Sequence, residues 1–593
     1  MLIFSSICRK TSSLIILCLL FIFDCNPRKD KTAQNLMIAA LLANSQPRSS
    51  NCNYNDFKAD SADDPLLSSE WHISNTTNVG EDLNLGAVWD TNRGDGVRVA
   101  VVDDGLDIYH EDLGINVVPG GSLNFGTEYY GFSYSLTDPF SEYASHGTAV
   151  GGVIAARDKN GLGVAGIAPR ACLVGYNVLI ELTDANQNTA MTHNASLVSV
   201  SNNSWGATDG TGKTASASSL WIDGVDTGLA LGRGGKGTVY VWAAGNGANT
   251  SNAATFGGLE TDNANQDAQA NYYGVTAVCG LMDDGKRVDY SEKGANLWVC
   301  GYSEKTDFNP NLNGIWTTDI SGGYGYNPLP SYLTNAGYSQ SNQLTDSNYS
   351  KIFNGTSGAT PMVAAGVALI LKENPDLSWR DVKLILAESA RKNDALDLDW
   401  TTNAGSKISN SGIPYNINHK YGFGVIDISQ AVTLAKTWTN VGTLLTFDTG
   451  TISANASFGN NTTLVGGASS TRAVTSGNTS ISKIEFVDVT VTTTGADASD
   501  LEVVLVSPSG TSSTLAEAHI CSSSSNPSSV GQSTSCGNYT GWVFGTARNL
   551  GETAIGTWTL RVADRRIGTS GTTGWGNGGT LSNWRLKFYG RAN

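Results

Sequence analysis

The chain has 593 residues, with 37 Lys+Arg against 53 Asp+Glu and a formal net charge of −16. A single core stops growing well before that length, so two or more domains are expected, with room for an enzyme and an accessory module. The acidic balance argues against nucleic acid as a partner and suits basic substrates, while 14 Trp and 21 Tyr are too many aromatics for a disordered chain.

Residues 1–25 read as an export signal: Arg9 and Lys10 precede the apolar stretch Leu14 to Phe23, which is short for a membrane span, and no later stretch offers one. Cys25 follows directly and is a candidate lipidation site, although Phe23 and Asp24 match poorly the small residues usual there. Secreted, periplasmic and lipid-anchored destinations are all open, and a monomer is expected. Residues 26–63 are predicted to form a tether or short pro-segment, too small for a folding prodomain. Of nine cysteines, Cys8 and Cys18 leave with a cleaved signal, and lipidation of Cys25 would leave six. An even remainder in an exported chain favours disulfides, with Cys279–Cys300 and Cys521–Cys536 as the closest pairs and Cys52–Cys172 by elimination. A buried free thiol is the alternative, above all for Cys172. There is no paired CxxC motif to support a structural zinc site.

From 64 to about 438, short apolar runs alternate with small-residue helical stretches, the pattern of an α/β domain. Val97 to Val102 reads as a buried strand ending in Asp103-Asp104-Gly105. His146 opens a small, apolar helix over Gly147 to Ala156. Leu197 to Val200 leads into Asn203-Ser204-Trp205-Gly206, and Thr238 to Ala244 into Gly245-Asn246-Gly247. Polar groups thus cluster just past strand ends, the edge at which open α/β sheets bind ligands. Ser357 lies in Gly355-Thr356-Ser357-Gly358-Ala359-Thr360-Pro361, before the apolar run Met362 to Leu371. Taken alone it could be an ordinary helix N-cap. Ser378-Trp379-Arg380-Asp381 predicts an N-capped amphipathic helix over Val382 to Ala390. From 439 to 593 Gly, Ser and Thr dominate, and the period-two alternation of Ile484 to Val491 and Leu501 to Val506 predicts an all-β sandwich or jelly roll.

Asp103, His146 and Ser357 each have a setting that suits one task. An acid at a strand end can fix the tautomer of a histidine, and the histidine can take the proton of the serine. Asn246, on a glycine-flanked turn, can donate its amide to a developing oxyanion, a contribution of ~3 kcal/mol in such sites.

These segments resemble the four signatures of the subtilisin-like serine proteases, and more closely those of the kexin/furin branch, the proprotein convertases. Ser204-Trp205-Gly206, Gly234-Gly235-Lys236-Gly237, Leu377 to Asp381 and Tyr421-Gly422-Phe423-Gly424 also resemble that branch, and Leu505 to Thr511 with Gly556-Thr557-Trp558 resembles the P domain that follows convertase catalytic domains. The resemblance implies a subtilisin-like α/β catalytic domain with a mostly parallel sheet over 64–438 and a β-sandwich P domain over 439–593. It implies that Ser204, Trp205 and Gly206 bind substrate, that Asp209 and Asp267 form an S1 pocket for Arg or Lys, and that Asp104 faces a basic P2 residue. It implies calcium at two places, one formed by Asp64, Asp112 and Asn160 with carbonyls of the loop 157–164, the other by Asp209, Asp262 and Glu292. The pattern departs from the family at Tyr143, where an S2 acid is usual but only neighbouring Glu142 is acidic. It departs again around Asp184 and Gln187, where no S4 glutamate aligns, and at Ala207 and Thr208. The expectation is an exported, calcium-dependent serine endopeptidase acting on protein or peptide substrates with basic residues at the cleavage site. A broad-specificity subtilisin whose Asp209 and Asp267 serve only calcium is the alternative within the class. A surface adhesive protein built on a vestigial protease is the alternative outside it.

Overall fold

A computed structural model describes residue 52 and residues 63–126, 135–140, 144–248, 259–304, 314–328, 344–460, 462–522, 535–565 and 578–592. The expected signal, Cys25, most of the tether, and Glu142 with Tyr143 lie outside these residues. Six strands, β1 (Arg98–Val102), β2 (Cys172–Tyr176), β3 (Val200–Asn203), β4 (Val239–Ala243), β5 (Val275–Leu281) and β6 (Leu297–Tyr302), form one sheet in the order β2-β1-β3-β4-β5-β6. Every pairing is parallel. Every residue of the six strands is buried, so most read as near-continuous apolar runs rather than alternating ones, while β3, Val200-Ser201-Asn202-Asn203, buries polar side chains.

The helices are α1 (Ser145–Ala155), α2 (Asp184–Thr192), α3 (Ser219–Gly235), α4 (Thr356–Glu373), α5 (Trp379–Ser389) and α6 (Ile428–Thr437). Helix α4 is apolar on all sides and packs against β3, β4, β5 and β6, as a helix buried at the centre of a domain should. A hairpin of β7 (Ile315–Thr318) and β8 (Tyr349–Phe353) leads into it, and a two-stranded pair, β9 (Thr401–Thr402) and β10 (Asn416–Ile417), follows α5.

After α6 the chain builds two antiparallel sheets. One contains β11 (Leu445–Asp448), β12 (Ile452–Phe458), β14 (Lys483–Thr494), β17 (Thr540–Thr546) and β19 (Gly579–Arg591). The other contains β13 (Ala468–Val474), β15 (Leu501–Val506), β16 (Ser512–Ala516) and β18 (Gly556–Asp564). They share their own core, with Trp558 and Trp584 fully buried. The boundary expected near 439 falls between Thr437 and Leu445. Residues 49–593 nonetheless form one compact unit.

The reason is the seam between the two parts. Helix α5 starts with the expected capping box, Ser378 to the Asp381 N–H and Asp381 back to the Ser378 N–H. It is not amphipathic in its surroundings, because every residue from Trp379 to Ser389 is buried. Its polar side is covered by the β-sandwich: Arg380 forms a fork with Glu485 at 2.7 and 2.6 Å, and Arg591 joins the same carboxylate at 3.2 Å. Lys383 donates to the carbonyls of Tyr273 and Val275 over the face of Trp298, and the Tyr273 ring stacks on Tyr589 at 4.0 Å. Three disulfides, Cys52–Cys172, Cys279–Cys300 and Cys521–Cys536, replace the free-thiol reading of Cys172. Among the described residues no helix is long and apolar enough to cross a membrane.

Candidate active site

Because β1, β3 and β4 are adjacent and parallel, the residues that follow them emerge at one edge of the sheet. Asp103 follows β1, Ser204 follows β3 and Asn246 follows β4, so three segments far apart in sequence meet by topology alone. Asp103 is fully buried, and its Oδ1 lies 2.7 Å from Nδ1 of His146 at the start of α1. A carboxylate oxygen can only accept, so Nδ1 carries the proton and Nε2 is left as the base. Burial pulls the His146 imidazole down, but the charge of Asp103, the bond to it and the charge of Asp104 prevail and hold it at about 9.

Asp104 has a role that the resemblance does not convey. Its two oxygens accept the N–H groups of His146 and Gly147 at 3.2 and 2.8 Å, so it anchors the first turn of the helix that carries the base. Burial, then the neighbouring charge of Asp103, pushes its carboxyl upward.

Ser357 is the second residue of α4. Pro361, four residues on, has no N–H, so the Ser357 carbonyl receives no intrahelical bond. The Ser204 hydroxyl fills that place at 3.1 Å, and Ser357 Oγ donates to the Ser204 carbonyl at 3.0 Å. Among the described residues no hydrogen bond joins Ser357 to His146. The serine is parked on the substrate-binding segment, and its Oγ must rotate before His146 can take its proton. Trp205 is pinned by its indole N–H to the Val102 carbonyl and packs edge-on against Trp242.

Asn246 is held at both ends. The N–H and hydroxyl of Thr356 donate to its Oδ1 at 2.8 and 2.9 Å, and its own backbone N–H donates to Asp209 at 2.9 Å. Gly245 and Gly247 flank it because carboxylates press on both: a Cβ would stand 2.2 Å from Glu292 at Gly245 and 1.7 Å from Asp262 at Gly247. The Gly-Asn-Gly turn is therefore the wall of an acidic pocket.

That pocket gathers Asp209, Asp262, Asp267 and Glu292, with Lys213 on its lining. Asp209, Asp262 and Glu292 bring carboxylate oxygens within 4.8 Å of one another. Burial raises all three, and neighbouring charge raises them further, that of Asp267 at Asp209, of Asp209 at Asp262, and of Asp262 and Asp209 at Glu292. Asp267, also raised by burial, accepts the N–H groups of Ala207 and Gln269, which ties the pocket to the segment after Gly206. Among the described residues none of the four forms an ion pair. Oxygen-only ligands, crowded and short of positive charge, fit a hard divalent cation, and the same deficit fits a guanidinium.

The residues expected at the other cation site are neighbours, but Asn160 turns its amide nitrogen to Asp112 and its oxygen to the Leu162 N–H. Asp64 accepts the N–H groups of Lys159 and Asn160 at 2.8 and 3.1 Å, and Asp112 accepts the Asn160 amide at 2.7 Å and the Val164 N–H at 3.2 Å. Burial pushes the Asp112 carboxyl up to about 8. Glu70, which carries no sequence signal, lies beside them: it is buried, accepts the Ala165 N–H and is raised by burial and by the charges of Asp112 and Asp64. Carboxylate oxygens on a tight loop are the donor type that calcium takes.

Fold and site are those of a subtilisin-like serine endopeptidase. The chain belongs to the subtilase family, which it matches over residues 94–424, and it carries a proprotein convertase P-domain over residues 484–588. It is similar to the dibasic-processing endoprotease of Schizosaccharomyces pombe, with 30% identity over 541 residues, 89% of this chain and 66% of that protein. It is similar also to neuroendocrine convertase 2 of Rattus norvegicus, with 28% identity over 538 residues, 89% of this chain and 74% of that one. Among solved structures, the serine protease of Aeromonas sobria in complex with a chaperone matches with a TM-score of 0.74 and 27% identity, covering 92% of this chain and all of that one.

Proposed function

We propose that this chain is an exported, calcium-dependent endopeptidase that cleaves after Arg or Lys. The observation that carries the reading is the pocket of four carboxylates without an ion-pair partner, one of which holds the backbone of the oxyanion asparagine. A divalent cation on Asp209, Asp262 and Glu292 still leaves the four carboxylates with a net negative charge, which a basic P1 side chain meeting Asp209 and Asp267 would pair and an apolar one would not. The S. pombe relative, named for dibasic processing, supports the same preference. Asp104 retains lone pairs for a basic P2 residue beyond the two helix bonds it accepts.

In the reaction Ser357 Oγ leaves the Ser204 carbonyl, passes its proton to His146 Nε2 and attacks the scissile carbonyl carbon. Asp103 holds the imidazolium, and the Asn246 amide donates to the oxyanion, for about 3 kcal/mol. His146 then gives the proton to the leaving amine, and a water resolves the acyl-enzyme by the same path. Asp209, Asp262 and Glu292 would hold one calcium ion, and Asp64, Asp112 and Asn160 another. Calcium bound there supplies charge neutralisation and no reaction step.

Three disulfides fit an oxidising compartment outside the cytoplasm. Cys25, after the export signal, is where a lipid would attach, and mass spectrometry of the mature amino terminus tests it. The function itself is tested by matched peptides with Arg or Leu at P1, together with fluorophosphonate labelling of Ser357. Labelling with strong preference for Arg is expected, and equal rates for the two peptides would overturn the basic pocket.

A further inference from the structure

The acidic pocket is built on three separate loops of the catalytic domain, and one corner of the P domain touches all three. Glu517 pairs with Lys293, next to Glu292, at 2.5 Å. The N–H of Ile520 donates to the carbonyl of Glu260, two residues before Asp262, and the N–H of Ser522 donates to the carbonyl of Thr211, two residues after Asp209. The centre of the contact is Gly212. Its N–H donates to Asp262 Oδ1 inside the pocket, while its carbonyl lies 2.9 Å from His519 Nε2 of the P domain, a ring whose Nδ1 meets the Glu517 carbonyl at 2.8 Å and whose Nε2 also meets the Gln266 amide at 2.9 Å. The two sulfurs of the Cys521–Cys536 disulfide lie 3.5 and 3.0 Å from the same carbonyl oxygen.

Only glycine fits here. Its φ is +67°, and a Cβ would stand 2.0 Å from the Ile520 carbonyl. His519, Cys521 and Cys536 cluster like metal ligands, but the sulfurs are spent on each other. His519, Cys521 and Ser522 are all buried. Such a seal goes beyond what an accessory module needs merely to dock.

We propose that this disulfide-closed corner is a positioning clamp for the acidic pocket: by fixing the Gly212 carbonyl it fixes the Gly212 N–H on Asp262, and so sets the spacing of Asp262 from Asp209 and Glu292. The inference rests on the reading of the pocket as a site for a cation and a basic P1 residue. His519 and the disulfide touch neither substrate nor cation. They act through Gly212, as outer-shell groups act on metal ligands.

The test uses the full chain and terbium as a calcium probe, scoring the part of the luminescence that Asp262→Asn abolishes. Replacing both Cys521 and Cys536 with Ser is expected to weaken that terbium binding about tenfold, the lower end for outer-shell changes. KM for an Arg peptide should rise in parallel with kcat little changed. Gly212→Ala, which presses on Ile520 without touching sulfur, should do the same. His519→Phe, which removes the ring nitrogens that meet the Gly212 carbonyl and the Gln266 amide, should also weaken terbium binding. Variants that melt earlier yet keep wild-type terbium affinity and KM would overturn the clamp and leave the corner as packing. A wild-type protein with neither Asp262-dependent terbium binding nor preference for Arg would overturn the pocket reading, and the clamp with it.

Discussion

The two carboxylate clusters differ in what holds them. Asp64, Glu70 and Asp112 take their backbone partners from one short loop, between Lys159 and Ala165. Asp209, Asp262 and Glu292 sit on three loops, lean on the glycines around the oxyanion asparagine, and are backed by the P domain. On the calcium reading proposed above, a cation in the first cluster would tighten a loop of one domain, and a cation in the second would depend on the assembly of both. Proximity to the reaction follows the same division, since only the second cluster shares a hydrogen bond with Asn246.

The largest break in this contrast should come from the seam. Glu485→Ala leaves Arg380 and Arg591 buried without their carboxylate, which costs about 3–5 kcal/mol. Calorimetry should show a much lower Tm, and preference for Arg at P1 should fall although the pocket residues are untouched. Next comes Asp262→Asn, which should lower kcat/KM for an Arg peptide about a hundredfold, roughly 2.7 kcal/mol, and leave a Leu peptide nearly unaffected. Asp112→Asn strikes the other cluster. It should remove about 1–3 kcal/mol of calcium-dependent stabilisation, read as a smaller rise in Tm on adding calcium, with P1 preference unchanged.

The smallest effect concerns pH. His146 must be neutral to accept a proton, so kcat/KM rises as pH climbs through the imidazole, which is held at about 9. Asp104 helps to raise it, so Asp104→Asn should move this limb to lower pH by about half to one unit, measured on the Arg peptide in saturating calcium. A limb that stays in place would mean that Asp104 serves only as the anchor of α1.

What could be read in the chain depended on how local the signal was. Asp103, His146, Asn246 and Ser357 each lie in a short segment whose strand, turn or glycine already says what the side chain can do. Apolar runs marked β1, the approach to β3, and β4; the mostly parallel sheet came from the family resemblance; β2, β5 and β6 were not read from the sequence; and the β-sandwich was legible from its alternation. Glu70 was not, being one glutamate in a loop whose meaning depends on Asp112, far along the chain. The second role of Asp104 was not legible either, because nothing in Asp103-Asp104-Gly105 reveals that a helix opening at Ser145 will come to rest on it. The pairing of Ser204 with Ser357 had one trace, the proline at Pro361, which removes a donor but cannot say who replaces it. The contacts of Glu517 and His519 had none, because they pair residues hundreds of positions apart without a shared pattern. Helix α5 shows the same limit: its cap was written locally, but the fate of Arg380 and Lys383 was decided by strands made later.

That lateness has a consequence for synthesis. The carboxylate under Arg380 belongs to the first residues of β14, and the guanidinium that shares it is Arg591, at the very end of β19. A ribosome delivers the nucleophile more than two hundred residues before it delivers that last partner. A chain emerging amino-end first therefore holds all its reacting groups while the seal behind them is still missing.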